Sequence, residues 1–232
     1  MAEYDLYYWP VPFRGQFIRA ILAFAGQDWR EHDAEEIASL MEQAPAEQPC
    51  PFVGPPLLVD HAEDVTLSQM PAIALYLGET LDVLPTSAGL RALTIKVVID
   101  ANDVLDEMTR DGGSQMWDRA SWDEFVPRLQ RWMAIFAATG QRHGLSADKG
   151  FLLGTPEAGV ADIVTATLWT TMGERFPTLA TMLEQHAPQI AALTRRMQAL
   201  PALERLSRTS RDLYGDAWCG GQIEASLRKV LD

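Results

Sequence analysis

Cysteine is scarce in this chain of 232 residues, which contains only Cys50 and Cys219. Two cysteines so far apart do not form a disulfide framework and lack the spacing of a metal-binding pair. The sequence around Cys50 has no base or cation that would lower its pKa, as a reactive thiol requires. We therefore interpret both as free thiols in a reducing compartment.

Long hydrophobic runs and clusters of positive charge are also missing. No apolar stretch approaches the roughly 20 residues of a membrane-spanning helix, and the first residues lack the basic and apolar segments of a signal peptide. The formal net charge is −13, from 19 lysines and arginines against 32 acidic residues. This balance opposes binding to nucleic acid or to an anionic membrane, because both attract clustered cations. The sequence thus predicts a cytoplasmic protein with neither partner.

The side chains of the common catalytic groups are few and scattered. The four histidines fall one per segment, so no Ser-His-Asp, Cys-His or metal-binding group is apparent and no metal is expected. Residues 1–80 contain 13 acidic residues and only three cations, Arg14, Arg19 and Arg30. An anionic ligand of this half must therefore use one of these arginines or free backbone N–H groups.

The chain divides into two halves with different patterns. The first half alternates short strands and helices in the order β-α-β-α-β-β-α, and the second half is helical throughout. In the second half the spacing of Ser121 and Glu124 predicts a capping box that opens a helix. We predict an α/β plus all-α fold with a first domain at 1–81, a linker at 82–87 and a helical domain with a C-terminal tail at 88–232.

Tyr8 stands at the end of the first predicted strand, directly before a turn and a helix. Tyr4, Leu6 and Tyr8 share one face by the period-2 rule, whereas Tyr7 points to the other. A strand–loop–helix junction places a side chain beside several free N–H groups, which suits an anion. Tyr8 is therefore a candidate functional residue, although two adjacent tyrosines also occur simply as strand formers.

Five short segments between residues 4 and 210 contain recognisable motifs. They are 8–19 (YWPVPFRGQFIR), 55–60 (PPLLVD), 67–77 (LSQMPAIALYL), 154–163 (GTPEAGVADI) and 199–204 (ALPALE). In their order and spacing they resemble the motifs of the tyrosine-type cytosolic glutathione transferases, the alpha, mu, pi and sigma classes, and they suggest a bacterial-type member. The resemblance implies a thioredoxin-like N-terminal domain, a helical-bundle C-terminal domain and a homodimer.

The same resemblance implies a function and a set of site residues. Glutathione would be the cosubstrate, and Tyr8 would stabilise its thiolate for conjugation to small apolar electrophiles or for peroxide reduction, both detoxification reactions. Arg14 matches the residue that contacts the glycine end, and Gln69 and Met70 match the γ-glutamyl site. Pro55 would accept a hydrogen bond from the cysteinyl N–H, ahead of a cis peptide bond at Pro56.

Three departures from the family pattern concern glutathione binding. Met70 replaces the usual Ser or Thr hydroxyl, so only backbone N–H groups and the helix dipole remain there. Gly54 replaces a residue that often adds a side-chain contact, and Pro55 has no N–H for a second hydrogen bond. Residues 34–53 lack both the Lys and the Trp that commonly hold the glycine carboxylate.

Apolar residues near the first loop, in the long helices and in the tail are candidates for an electrophile pocket. Two aromatic residues in the Gly-rich segment 214–221 indicate either a lid or an anchored terminus. Apolar side chains at these spacings are also typical of an ordinary core. The candidate pocket residues are Trp9, Val11, Phe13, Met108, Trp117 and Tyr214, with Met116 and Trp218 beside them.

Two other functions compete with the transferase. A catalytically weak or inactive binding or regulatory protein on the same fold is favoured by Met70, by Pro55 and by the missing Lys and Trp. A thiol oxidoreductase would need a cysteine in the first turn. Residues 9–14 occupy that turn, and none of them is a cysteine. Asp162, flanked by apolar residues, is interpreted as a structural acid that caps a helix.

Overall fold

The computed structural model describes residues 3–231; Met1, Ala2 and Asp232, the outer residues of the predicted domains, lie outside the described part. Four strands come from the first half: β1 (Tyr4–Tyr7), β2 (Trp29–His32), β3 (Leu57–Asp60) and β4 (Val65–Ser68). The helices of that half are α1 (Gly15–Phe24), α2 (Ala34–Glu42) and α3 (Met70–Thr80). The predicted order of strands and helices is confirmed.

The strands form one sheet in the order β2-β1-β3-β4. β1 pairs in parallel with β2 and antiparallel with β3, and β3 and β4 form the predicted hairpin. β2 lies at an edge, and its two middle residues are exposed, which agrees with its weakly apolar sequence. This mixed sheet with helices on it is the thioredoxin-like arrangement that we expected.

Helix α1 connects the sheet to the second half of the molecule. Its residues Phe17, Ile18, Ile21 and Leu22 are fully buried because they recur at helical spacing and form one apolar face. The helix contacts α3 and also two helices of the helical half, α7 (Val160–Arg175) and α10 (Pro201–Tyr214). Helix α1 therefore packs against helices of both halves.

The second half is helical, as predicted. Its helices are α4 (Ala88–Met108), α5 (Arg110–Gly113), α6 (Arg119–Arg142), α7 (Val160–Arg175), α8 (Pro177–His186), α9 (Pro188–Gln198), α10 (Pro201–Tyr214) and α11 (Gly221–Leu231). The central helix α7 is buried on nearly all sides and contacts α1, α4, α8 and α9. A helix without a distinct polar face needs such a position.

The predicted capping box at Ser121 is wrong by one turn. Helix α6 begins at Arg119, and the carboxylate of Asp118 accepts a hydrogen bond from the N–H of Ser121 at 2.8 Å. The Ser121 hydroxyl in turn accepts from the N–H of Asp118 at 3.2 Å. Asp is as good an N-cap as Ser, so the earlier of two overlapping boxes begins the helix.

Residues 81–87 connect α3 to α4 without a helix or strand, all within the described part of the chain. This segment includes the predicted linker at 82–87, but the domain limits themselves stay a prediction. In residues 3–231 we find no helix that combines the length and the apolar character needed to cross a bilayer.

Candidate active site

Tyr8 follows β1 directly and lies at the junction of strand, loop and helix. Tyr4, Leu6 and Tyr8, which alternate along the strand and were predicted to share one face, are 2%, 0% and 4% exposed. Tyr7 points the other way and stacks on His32, with ring centroids 3.9 Å apart. The strand alternation therefore directs Tyr8, and not Tyr7, toward the core side of the β1–α1 loop.

The Tyr8 hydroxyl oxygen accepts a hydrogen bond from the backbone N–H of Arg14 at 3.0 Å. Among residues 3–231 we find no acceptor for the hydroxyl proton itself. Burial raises the pKa of Tyr8 to about 12, although the positive charges of Arg14 and Arg19 and the Arg14 N–H act in the opposite direction. The phenol is therefore protonated at neutral pH and has a proton to donate to a ligand.

Gly15, the first residue of α1, lies against the Tyr8 ring. A Cβ atom on Gly15 would be 2.3 Å from Tyr8 Cδ1 and 2.6 Å from Cγ. Real Cβ atoms essentially never approach another heavy atom so closely. The absence of a side chain at this position thus allows the ring to pack on the start of the helix.

Arg14 contributes to the site through its backbone, while its side chain turns toward α4. Nε donates to Asn102 Oδ1 at 3.0 Å, and the guanidinium also pairs with Asp106. Its guanidinium carbon lies 4.7 Å from the centre of the Phe13 ring. The predicted contact of Arg14 with the glycine end of a tripeptide stays a prediction.

Arg19 is a buried cation beside the phenol ring. It binds Glu31 through two hydrogen bonds, of 2.7 and 3.0 Å, and donates to the carbonyl of Val11 at 3.1 Å. Its guanidinium carbon also lies 5.7 Å from the Tyr8 ring centre and 5.2 Å from that of Tyr214. Arg19 therefore contacts the first loop, β2 and the end of α10, and connects these three elements beside Tyr8.

A pocket opens beside Tyr8 between the first loop, the start of α2 and the end of α10. Its apolar surface includes the rings of Tyr8 and Tyr214, so the structure brings these two predicted residues together. Three acidic residues also line it, and the carboxylate of one of them, Glu35, has no hydrogen-bond partner among the described residues. The lining residues are Tyr8, Pro10, Glu31, His32, Asp33, Ala34, Glu35 and Tyr214.

The other predicted pocket residues do not line this pocket. Trp9 and Val11 are half-buried, and Phe13 is 8% exposed, with its ring packed edge-to-face on Trp218. Met108 is fully buried among the core residues, and its assignment to a pocket stays a prediction. Trp117 donates from Nε1 to the carbonyl of Met108 and borders a different pocket, between α4 and α6, that does not include Tyr8.

The β3 strand and the start of α3 present the remaining predicted residues. The peptide bond between Pro55 and Pro56 is cis, as the resemblance implied. Gln69 is exposed and has φ 73° and ψ 117°, a conformation that residues other than glycine rarely adopt. Met70 is fully buried, so it offers only its backbone N–H to a ligand.

The start of α3 therefore has few donors. Helix N-termini present backbone N–H groups that have no partner within the helix. Here Pro71 has no N–H, which leaves those of Met70 and Ala72 beyond the N-cap residue Gln69. The Gln69 side chain makes no capping hydrogen bond, so it does not compete for them.

Comparison with known proteins identifies the family. Residues 93–230, more than half of the chain, match the family described as the C-terminal domain of glutathione S-transferases. The chain belongs to the glutathione S-transferase family. It is 30% identical over 161 residues to probable glutathione S-transferase 7 of Caenorhabditis elegans, an alignment that covers 66% of this transferase and 73% of that protein.

Solved structures agree with this transferase in fold. A Nu-class enzyme from Haemonchus contortus matches with a TM-score of 0.70 and 22% identity, over 90% of this chain and 98% of that one. A glutathione S-transferase from Necator americanus, described as monomeric, matches with a TM-score of 0.71 and 20% identity, over 89% and 97%. The tyrosine-type class and the bacterial type are not decided by these nematode relatives and stay predictions.

Sequence reasoning missed several residues that shape this transferase site. Asn102 and Asp106 hold Arg14 from α4, and Glu31 holds Arg19 from β2. Alternating strands and helical periods report only which face is buried, so they carry no signal for such partners. Gly15 lies within the segment 8–19, but its close approach to the Tyr8 ring is seen only in the structure.

Proposed function

We propose that this chain is a glutathione transferase in which Tyr8 donates a hydrogen bond to the thiolate of bound glutathione. One observation supports this role above the others. The Tyr8 oxygen already accepts from the Arg14 N–H, and its proton has no acceptor among residues 3–231. A buried phenol in that state suits a negatively charged sulfur atom placed beside it.

The energetic effect of such a hydrogen bond is large enough to matter. A free cysteine thiol has a pKa near 8.5, so only a few per cent is thiolate at pH 7. A hydrogen bond to the charged sulfur is worth about 1.5–3 kcal/mol, which lowers the thiol pKa by about 1–2 units. Because the pKa of Tyr8 is about 12, it acts as a donor and not as the base.

Glutathione would bind between the first loop, the start of β3 and the start of α3. We propose that the carbonyl of Pro55, ahead of Pro56, accepts from the cysteinyl N–H, and that Gln69 and the N–H of Met70 bind the γ-glutamyl group. Arg14 would bind the glycine end if its guanidinium left Asp106. These residues offer few hydrogen-bond donors for the two carboxylates of glutathione, so we expect a modest affinity for glutathione.

The second substrate would be a small electrophile that occupies the pocket beside Tyr8. Aromatic rings favour an apolar molecule. Tyr214 lines this pocket with Tyr8, and Trp9, Val11 and Phe13 of the first loop lie nearby in the chain. Conjugation and glutathione-dependent reduction of an organic peroxide use the same thiolate, and both are detoxification reactions.

The test of this role is substitution of Tyr8 by Phe. We expect the pKa of the bound thiol, followed by thiolate absorbance, to rise by about 1–2 units. Turnover of chlorodinitrobenzene at pH 6.5 should fall roughly 10–100-fold with it. The matched control is Tyr7→Phe, which removes a hydroxyl from the opposite face of the sheet. An unchanged thiol pKa in Tyr8→Phe would refute the role.

A binding or regulatory protein on the same fold is the second candidate. It is favoured by the burial of Met70 and the absence of an N–H at Pro71, which together weaken the γ-glutamyl site. Retention on immobilised glutathione and turnover separate the candidates. A wild-type protein with neither property would support the second one.

We further propose that the protein is a cytoplasmic homodimer. Ile95 and Ile99 are 40% and 45% exposed, and they lie four residues apart on one face of α4. Neighbouring exposed apolar side chains are typical of an interface. Sedimentation equilibrium measures the state directly, and a monomer at micromolar concentration would contradict the dimer.

A further inference from the structure

A carboxylate near the C-terminus organises the loop before α11. Glu224 is 6% exposed, and its Oε2 accepts hydrogen bonds from three consecutive backbone N–H groups. Those of Trp218 and Cys219 are 2.9 Å away, and that of Gly220 is 2.6 Å away. One oxygen therefore fixes the conformation of the segment 218–220.

The other oxygen of Glu224 is held by Arg228. Arg228 donates to Oε1 from Nε at 3.1 Å and from Nη2 at 2.6 Å. Burial alone would raise the pKa of Glu224, but Arg228 and the three N–H donors outweigh it and lower that pKa. The carboxylate is thus ionised, and both of its oxygens accept hydrogen bonds in its buried position.

The loop that Glu224 fixes contacts the β1–α1 loop. The carbonyl of Trp218 accepts a hydrogen bond from the N–H of Phe13 at 3.1 Å. The Trp218 side chain is completely buried, and its ring meets Phe13 edge-on with centroids 5.1 Å apart. The tail is therefore anchored to the first loop at Trp218.

Phe13 stands directly before the residue that contacts the phenol. Its backbone has φ 25°, a strained value for a residue other than glycine. Strained backbone persists only where surrounding contacts impose it, and the hydrogen bond to Trp218 is such a contact. The next N–H along the chain is that of Arg14, which donates to Tyr8 at 3.0 Å.

We propose that Glu224 is a positioning residue for Tyr8. It acts through the carbonyl of Trp218, the backbone of Phe13 and the N–H of Arg14, in that order. Without Glu224, the Arg14 N–H would no longer be held in a fixed direction toward the phenol oxygen. The Tyr8 hydroxyl would then no longer be held in a fixed direction toward the glutathione sulfur. This inference rests on the proposed function of Tyr8.

The test compares Glu224→Gln with Glu204→Gln. Glu204 forms an ion pair of the same kind, with Arg208 four residues later at 3.0 Å, but on the exposed surface of α10. Two quantities are measured in both variants. One is amide hydrogen exchange of the segment 9–17 in the ligand-free protein, and the other is the pH dependence of turnover with glutathione and chlorodinitrobenzene.

We expect exchange of the segment 9–17 to accelerate about tenfold or more in Glu224→Gln, while the sheet is unaffected. We also expect kcat at pH 6.5 to fall roughly threefold to tenfold, with the loss disappearing at high pH where the thiol is ionised in any case. KM for glutathione should change little. Glu204→Gln should match the wild type in amide exchange, in the pH dependence of kcat and in KM.

Two results would overturn the proposal. Unchanged exchange in the segment 9–17 would show that the tail does not hold the loop. Faster exchange with an unchanged pH profile would show a purely structural role. If wild-type protein does not turn over glutathione, the proposed function fails, and the exchange experiment alone then decides whether Glu224 holds the loop. If Glu224→Gln does not fold, Arg228→Gln is measured instead, with smaller changes in the same direction.

Discussion

Tyr8 and Gly15 form a pair in which the smaller residue sets the position of the larger. The phenol ring fits over the start of α1 only because Gly15 has no Cβ. In that place its oxygen meets the N–H of Arg14, and burial keeps the phenol protonated. A single atom at Gly15 therefore affects the geometry of the proposed catalytic hydroxyl.

Gly15→Ala should displace the ring or the helix, because the new Cβ would lie 2.3 Å from Tyr8 Cδ1. Overpacking of this kind costs about 1–3 kcal/mol of unfolding free energy, and we expect kcat to fall roughly tenfold or more with it. Urea unfolding and steady-state kinetics measure both. The control is Gly89→Ala in the first turn of α4, where the added Cβ meets only Ser87 Oγ at 3.9 Å; equal losses in the two variants would contradict the argument.

Helix α7 joins the helical half to the chain that comes from the sheet. At its start Asp162 accepts from the N–H groups of Leu152 at 2.7 Å and Gly159 at 3.0 Å, which confirms its predicted structural role. The N–H of Val160 donates to the carbonyl of Val83, between α3 and α4, at 3.0 Å. The start of one helix therefore fixes two loops and the connection between the halves.

Asp162→Ala should destabilise the protein strongly while leaving the site intact. The substitution leaves two N–H groups without their acceptor, which lowers the free energy of unfolding by about 2–4 kcal/mol. For a chain of this size that lowers Tm by roughly 5–15 °C. Calorimetry measures Tm, and kcat at 15 °C should stay within about twofold of wild type. A small change in Tm would show that the cap contributes little, and a large fall in kcat would show that the site depends on it.

The molecule carries a net charge of −13, and part of that charge lies at the candidate substrate pocket. Of the pocket carboxylates, Glu31 is paired with Arg19, and Asp33 caps α2. Glu35 has no partner in residues 3–231. The field at the pocket is therefore negative and acts against anionic electrophiles.

Glu35→Lys should change the choice between electrophiles of different charge. We compare kcat/KM for anionic 4-chloro-3-nitrobenzoate with that for neutral chlorodinitrobenzene, a ratio in which effects on glutathione cancel. The ratio should rise about threefold to tenfold at low salt and approach the wild-type value at 1 M salt. Glu42→Lys, at the other end of α2 and outside the pocket, makes the same change in net charge. An equal effect of both variants would attribute the result to net charge alone.

Local pattern in the sequence determined the order of strands and helices, the opposite directions of Tyr7 and Tyr8, and the segments shared with the family. These features depend on near neighbours in the chain, through strand alternation, helical spacing and turn residues. That is also why the one wrong helix start, at Ser121, was an error of a single turn.

The tertiary structure alone decided which distant residues meet at the site. It turned the Arg14 side chain to Asn102 and Asp106, placed Met108 in the core, and held Phe13 through Trp218. Each of these contacts joins segments that are far apart in the chain, so it depends on how the helices pack and leaves no periodic signal. The sequence supplies the phenol, and the packing of remote elements sets the direction of its hydrogen bonds.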